Sequence, residues 1–331
     1  MKSLSTRHGF WSRLARPVMV QAPMLDVTDA AYRLMMARHG KPDVMFTEFT
    51  SCDGLCSRGR DALMKQLQYD ESERPIVAQV FGANPEKYLE AARLLRDLGF
   101  DGIDINMGCP VKTIVKAGSC AALIKKPQLA KEIIAACKEG AGDLPVSVKT
   151  RIGYDKITLE DWLGHVIEAA PAAITLHLRT AKEMSAVAAH WEVMDKAVAM
   201  VRKTDILILG NGDVRDIQHA RALAAEYQLD GIMLGRAMFG NPWLFDTSRT
   251  YEDVTVDEKL SAMLEHARLY DDMFRGRKNF VNLRKHLRAY ASGFDGAKEL
   301  RLRVEQVNIA DDVEQIVAEF RRSAQDARLS A

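Results

Sequence analysis

The sequence predicts an α/β protein: a (β/α)8 TIM barrel followed by a small all-helical C-terminal domain. Eight short apolar runs rich in β-branched residues alternate with helical patterns, and this alternation stops after residue 245. A chain of 331 residues is also long enough for one large domain and a small one. A doubly wound open sheet contains the same alternation and is the alternative that this pattern leaves open.

The predicted strands are nearly continuous in apolar residues, as is typical of strands that are covered on both faces. They span residues 18–22, 44–48, 76–80, 102–106, 146–150, 174–177, 206–210 and 231–234. Helix signals separate them: Asn84-Pro85 is typical of an N-cap with proline at the first helical position, and Lys126-Pro127 opens another helix. These patterns predict a barrel domain over residues 1–245 and a helical domain over 246–331.

The composition is that of an ordinary globular protein, with 47% hydrophobic and 27% charged residues. The apolar runs are only a few residues long, so we predict no membrane-spanning helix. The five cysteines form neither a CxxC pair nor a set of metal ligands with histidine, so we expect no metal and a cytoplasmic protein. We also expect a monomer.

Positive charge is concentrated near the C-terminus, although the whole chain carries a formal net charge of only +1. Nine Lys or Arg residues face two acids between Arg275 and Arg303, a net of about +7. Arg277, Arg284 and Arg288 have the spacing of one helical face, which predicts either a nucleic-acid surface or an ordinary solvated face.

Polar and reactive residues follow the predicted strands at the points where the strands end. Because the active site of a (β/α)8 barrel lies at the C-terminal ends of its strands, this convergence predicts a catalytic rim. The candidates are Glu48, Gln79, Asn106, Cys109, Lys149, Arg151, His177, Arg179, Asn211, Asp213 and Arg236.

The loops after the last two strands predict a phosphate site, because barrels commonly bind phosphate there. Glycine at Gly212 and Gly235 lets backbone N–H groups approach an anion, and Arg236 adds a charged partner. The chain has no GxGxxG motif of the dinucleotide-binding type and no P-loop, so a mononucleotide such as FMN suits the site. Gln79 and Lys149 would then reach the polar edge of the flavin ring, whereas His177 taken alone is more typical of a buried core histidine.

Cys109 lies between Gly108 and Pro110, in a sharp turn directly after the fourth strand. A thiol with an ordinary pKa of about 8.5 is mostly protonated near neutral pH and is able to act as a general acid. A buried packing cysteine is the alternative at this position.

At these residues the sequence resembles the tRNA-dihydrouridine synthases, especially those of bacterial type. The similarity covers about residues 17–305, and the Asn-Met-Gly-Cys-Pro turn at 106–110 is its most specific part. It also includes Ala-Pro-Met at 22–24, Thr-Glu at 47–48, Val-Lys-Thr-Arg at 148–151, Gly-Asn-Gly-Asp at 210–213, Gly-Arg-Ala at 235–237 and Arg-Lys-His-Leu at 284–287.

The resemblance implies a flavoenzyme that reduces a uracil ring in tRNA, with FMN bound and NADPH as the transient electron donor. Cys109 would protonate C5 of the uracil while a hydride passes from the flavin to C6. Asn106 and Arg151 would contact the uracil, and Arg284, Lys285 and Arg288 would contact tRNA phosphates. The matching cofactor positions are Pro23, Met24, Leu25, Gln79, Lys149, His177, Asn211, Gly212, Asp213, Gly235 and Arg236.

The chain departs from the family pattern at two places. The family usually has glycine where Cys120 stands, and the loop at 178–187 lacks the family's usual second arginine and its tyrosine. Two other functions remain open at this stage: a flavin barrel reductase that acts on a free pyrimidine or an enoate, and a tRNA-binding protein without turnover.

Overall fold

A computed structural model describes residues 6–329 and contains the predicted barrel. Eight parallel strands lie in the order β1-β9-β8-β7-β6-β5-β4-β2, and a bridge between Val20 and Val44 joins the first strand to the segment before the second. The strands are β1 Val18–Gln21, β2 Met45–Phe46, β3 Thr50–Ser51, β4 Ile76–Phe81, β5 Gly102–Met107, β6 Val146–Arg151, β7 Ala173–His177, β8 Leu207–Asn211 and β9 Gly231–Leu234. The parallel (β/α)8 architecture is confirmed, and the open sheet is excluded.

Two details of the strands differ from the prediction. Strand β2 is only two residues long rather than 44–48, and a short additional strand, β3, pairs with the end of β4. Register is regular elsewhere; for example, Asn106 of β5 lies beside Lys149 of β6, and His177 of β7 beside Asn211 of β8. This register places the polar strand ends next to one another.

Helices alternate with the strands and continue into the C-terminal region. Helix α4 begins as predicted, because the Asn84 side chain accepts a hydrogen bond from the Glu86 N–H and Pro85 occupies the first turn. The helices are α1 Ala30–His39, α2 Cys52–Leu55, α3 Arg60–Met64, α4 Pro85–Asp97, α5 Lys112–Lys116, α6 Pro127–Ala141, α7 Leu159–Glu168, α8 Met194–Val201, α9 Ile217–Glu226, α10 Val256–Phe274, α11 Arg284–Tyr290, α12 Ala297–Val304 and α13 Ala310–Leu329.

The barrel interior is packed with apolar side chains near the starts of the strands. Phe10 and Trp11, whose ring centroids lie 4.8 Å apart, belong to this cluster with Val18, Val44 and Leu207. Burial of these large side chains fills the barrel interior at the end opposite the C-terminal ends of the strands.

The chain forms two compact units, one of residues 1–25 and 42–236 and the other of residues 26–41 and 237–331. This division differs from the predicted boundary at 245/246. Helix α1, which follows the first barrel strand, belongs to the helical unit because it packs on α10. Its Arg38 and His39 both bind Glu265, at 2.7 and 2.8 Å, and the Tyr32 ring lies against His266.

No helix within the described residues is both long enough and apolar enough to cross a membrane.

Candidate active site

A cavity of about 340 Å³ opens at the C-terminal ends of the barrel strands. This volume lies in the range of small-molecule sites, about 300–1,000 Å³. Predicted residues in its lining are Pro23, Met24, Asn106, Cys109, Lys149, Arg151, His177, Asn211, Gly212, Asp213, Gly235 and Arg236. Arg179, also a predicted rim residue, belongs to the lining, and the rest of it is Ala22, Phe49, Gly108, Pro110, Met184, Ser185, Val214 and Met233.

Six predicted residues lie outside this lining, and one of them, Glu48, is buried. Gln79 is completely buried beneath it, and Leu25 has a side chain that is 44% exposed but does not border the cavity. Arg284, Lys285 and Arg288 belong to helix α11 of the helical unit.

The turn that carries Cys109 is fixed by the side chain of Asn106. Its Oδ1 accepts hydrogen bonds from the backbone N–H groups of Gly108 and Cys109, both at 3.0 Å. The Arg151 Nε donates to the Gly108 carbonyl at 2.7 Å and holds the turn from the neighbouring strand. The thiol is therefore presented at the rim by hydrogen bonds as well as by the Gly-Cys-Pro sequence.

The pKa of Cys109 is lowered to about 6, chiefly because the Cys120 thiol donates a hydrogen bond to its sulfur. Burial opposes this effect, while the Val111 N–H and the charge of Arg151 add to it. The expectation of an ordinary thiol pKa was therefore wrong, because a pKa of about 6 favours the thiolate near neutral pH. The same contact, together with burial, raises the pKa of Cys120.

Lys149 and Arg151 extend from β6 into the cavity. The Lys149 Nζ donates to Asn211 Oδ1 at 3.0 Å, and burial, followed by the charge of Arg151, lowers the pKa of Lys149 to about 8. Arg151 also donates to the carbonyls of Thr180 and Met184, at 2.9 and 3.0 Å. Arg151 thus ties the loop after β7 to the Cys109 turn.

The loops after β8 and β9 form the end of the cavity where the sequence predicts a phosphate site. At this end, the backbone conformation at position 212 suits only glycine well. Gly212 has a φ of +135°, and a Cβ there would lie 2.8 Å from the Cβ of Ala189. No acceptor among residues 6–329 pairs with the backbone N–H groups of Gly212, Gly235 or Arg236. Unpaired N–H groups at a glycine turn are what an anion needs from its site.

Asp213 organises the arginines at this end, a role that the sequence did not indicate. Its carboxylate accepts two hydrogen bonds from Arg179, at 2.6 and 2.5 Å, and also pairs with Arg236. Arg179, only 3% exposed, also donates to His177 Nε2 at 3.2 Å. Because a guanidinium only donates, His177 accepts at Nε2, and burial with the nearby cations lowers its pKa and keeps it neutral.

The lining carries four basic side chains, Lys149, Arg151, Arg179 and Arg236, against one carboxylate, Asp213. Such an excess of positive charge in a concave site favours an anionic ligand. Among the described residues, no group of three or more His, Cys, Asp or Glu side chains is placed to hold a metal ion.

Comparison with known proteins agrees with this geometry. Residues 20–326 match the family model described as Dihydrouridine synthase (Dus). The chain is 39% identical over 320 residues to a probable tRNA-dihydrouridine synthase of Staphylococcus aureus (strain MRSA252), covering 95% of this chain and 96% of that protein. It is 38% identical to probable tRNA-dihydrouridine synthase 2 of Bacillus subtilis (strain 168), over 96% of this chain and 98% of that protein.

Solved structures with low sequence identity share the fold. A 2-naphthoyl-CoA reductase complex matches with a TM-score of 0.56 and 11% identity, over 70% of this chain and 49% of that one. Histamine dehydrogenase from Rhizobium sp. 4-9 matches with a TM-score of 0.52 and 13% identity, over 77% of this chain and 49% of that one.

The family match, together with the barrel fold and its cationic rim, identifies a flavin-dependent oxidoreductase class. The chain belongs to the dihydrouridine synthase family.

Proposed function

We propose that this chain is an FMN-dependent tRNA-dihydrouridine synthase that reduces the C5–C6 double bond of a uridine in tRNA with electrons from NADPH. The observation that carries the proposal is a thiol, Cys109, held at the rim of a cationic cavity over the strand ends. Family membership and the names of relatives that match nearly the whole chain support the choice of tRNA.

The cavity residues suit FMN. The unpaired N–H groups of Gly212, Gly235 and Arg236 would hold its phosphate, with the Arg236 guanidinium as a charged partner. Pro23 and Met24 border the same space from the end of β1. Lys149 would stabilise the negative charge that a reduced flavin ring carries near N1 and O2.

Bound FMN would supply the hydride for one carbon of the uracil double bond, and Cys109 would supply the proton for the other. The pKa of Cys109, about 6, favours the thiolate near neutral pH. Filling the cavity removes water from the sulfur, and loss of water favours the neutral thiol. Ligand binding would therefore favour the protonated form of Cys109, which is the form that acts as the acid.

A uridine must leave its stack inside folded tRNA to enter such a pocket. We infer that the helical unit binds tRNA phosphates and that the barrel carries out the chemistry. Net positive charge over residues 275–303 supports this division.

The test of the function is anaerobic stopped-flow measurement of flavin reoxidation by unmodified tRNA. Cys109→Ala should retain FMN and be reduced by NADPH at the wild-type rate, because neither process uses its proton. Reoxidation by tRNA should slow by about a hundredfold or more, the scale of a lost general acid. Cys137→Ala, which removes a buried thiol of α6, is the matched control and should reoxidise normally.

Equal reoxidation rates for Cys109→Ala and wild type would remove the thiol from the mechanism. Reoxidation by free uridine as fast as by tRNA would instead indicate a reductase of small molecules.

A further inference from the structure

A chain of three buried side chains leads from strand β5 to the Cys109 turn. Asn106 Nδ2 donates to Gln79 Oε1 at 3.0 Å, and Gln79 Nε2 donates to Asp104 Oδ2 at 2.7 Å. None of the three is more than 6% exposed. A polar chain that is buried and fully paired is costly to disturb, because water does not replace a lost partner.

Each amide in the chain has a forced orientation. The turn N–H groups of Gly108 and Cys109 only donate, so Asn106 must present its oxygen to them and its NH2 to Gln79. Gln79 must then present its oxygen to Asn106 and its NH2 to the next residue. The chain is consistent only if it ends on an acceptor, and Asp104 is that acceptor.

Burial of the Asp104 carboxyl group at this position costs free energy. It is 1% exposed, and among the described residues no cation lies within ion-pair distance of its carboxylate, although the charge of Lys149 acts on it. Its hydrogen-bond partners are Gln79 and the Ser147 hydroxyl, which donates to Oδ1 at 2.6 Å. Burial raises its pKa to about 6. A buried carboxyl group of this kind is more easily explained by the direction of the hydrogen-bond chain than by stability.

We propose that Asp104 is a positioning residue for Cys109, acting through Gln79 and Asn106 to hold the turn that presents the thiol. The proposal rests on the proposed role of Cys109 as the proton donor. Gln79, predicted from the sequence as a flavin contact, is a member of this chain. Its side chain is wholly buried and uses both ends of its amide within the protein.

The reactivity of the Cys109 thiol reports on the turn without any turnover. The test measures the pH dependence of iodoacetamide labelling of purified protein, with modification at Cys109 identified by peptide mass spectrometry. If the chain breaks, Cys109 loses the contacts with Cys120 and the Val111 N–H that stabilise its thiolate. The labelling midpoint should then rise by about one pH unit or more.

The sign of this shift separates positioning from simple electrostatics. Removal of the Asp104 charge would, by itself, lower the midpoint, but it would also weaken the protonation of Lys149, whose charge stabilises the thiolate. Gln79→Met leaves both charges in place and is therefore the decisive variant. Asp104→Leu and Gln79→Met, which are close in size to the native residues, should both raise it. Asp104→Asn keeps an acceptor oxygen for Gln79 and should stay within about 0.3 units of wild type. Ser147→Ala removes only the hydroxyl that lies outside the chain of three and is the matched control.

Flavin reoxidation by tRNA should follow the same order, slowing by about tenfold or more in Gln79→Met and in Asp104→Leu, and Asp104→Leu should still be reduced by NADPH. If Asp104→Leu does not fold, Gln79→Met and Asp104→Asn decide the question. An unchanged or lowered midpoint in Gln79→Met, or a rise in Asp104→Asn as large as in Gln79→Met, overturns the proposal. A raised midpoint with normal reoxidation by tRNA instead contradicts the proposed function and leaves the positioning intact.

Discussion

Cys120 lowers the pKa of Cys109 although it lies eleven positions further along the chain. Its backbone has a φ of +53°, in the left-handed region that favours glycine. A non-glycine residue in this conformation costs about 1–2 kcal/mol. The thiol there hydrogen-bonds to the Cys109 sulfur, so the unusual residue acts directly on the proposed acid.

Cys120→Gly is therefore expected to raise the pKa of Cys109 from about 6 towards its ordinary value, because the largest stabilising contact of the thiolate is lost. The sign is fixed: the thiol form would persist to higher pH in the variant than in wild type. The pH dependence of Cys109 alkylation measures this shift.

Cys137→Ala serves as the control for this prediction, since it also removes a buried thiol but one on helix α6. An alkylation midpoint that is the same in Cys120→Gly and wild type would show that Cys120 does not stabilise the thiolate.

The position of Cys109 was predictable, whereas its pKa was not. Gly108 and Pro110 are its neighbours in sequence, so a rigid turn after β5 follows from local rules. The pKa depends on Cys120, Val111 and Arg151, whose contacts with the sulfur arise only in the folded chain. The partnership of Asp213 with Arg179 and Arg236 was missed for the same reason.

At the scale of elements, the positions of the long strands were the reliable part of the prediction. Long apolar runs such as β4, β5 and β6 are confirmed nearly as predicted, because burial on both faces leaves a strong signal. Strand β2 was overestimated, since Val44 forms only an isolated bridge and Thr47 and Glu48 lie in irregular backbone. Helix α1 packs on α10 through Tyr32 and Arg38, and a helical pattern alone does not reveal which partner a helix covers.

The second prediction concerns the loops after β8 and β9. Arg236→Ala should weaken FMN retention with little change in folding, because the Arg236 side chain is 63% exposed and, among the described residues, pairs only with Asp213, which also binds Arg179. The measurement is the flavin content of purified protein together with the dissociation constant for added FMN. The flavin released on denaturation should be FMN rather than FAD.

Arg215→Ala is the matched control. Arg215 is an exposed arginine on the loop after β8, four residues after Asn211. Equal loss of FMN from both variants would mean that general positive charge, rather than a contact of Arg236, retains the cofactor. Protein that is colourless and does not take up FMN would contradict the flavin site itself.

At the scale of the whole molecule, the basic segment is partly used for internal contacts. Arg284 donates to the Val307 carbonyl at 2.9 Å and to Asn308 Oδ1 at 3.0 Å, and Arg288 pairs with Glu305 at 2.9 Å. Charge reversal at Arg284 would therefore disturb the packing of the helical unit as well as any RNA contact. Arg277 is exposed, and no acceptor among the described side chains pairs with its guanidinium.

Arg277 thus offers the cleaner test of tRNA binding by the helical unit. If it contacts a phosphate, Arg277→Ala should weaken tRNA binding and reduce the slope of log K against log salt by about one. Arg268→Ala in α10 makes the same change in net charge at an exposed arginine that already pairs with Glu314, and its slope should stay at the wild-type value. Binding would be measured by fluorescence titration over a range of salt concentrations, with the flavin spectrum as the check on folding. Identical slopes for Arg277→Ala and wild type would show that Arg277 is an ordinary solvated side chain without a phosphate contact. Loss of a phosphate contact reduces the number of counterions released on binding and therefore reduces the slope.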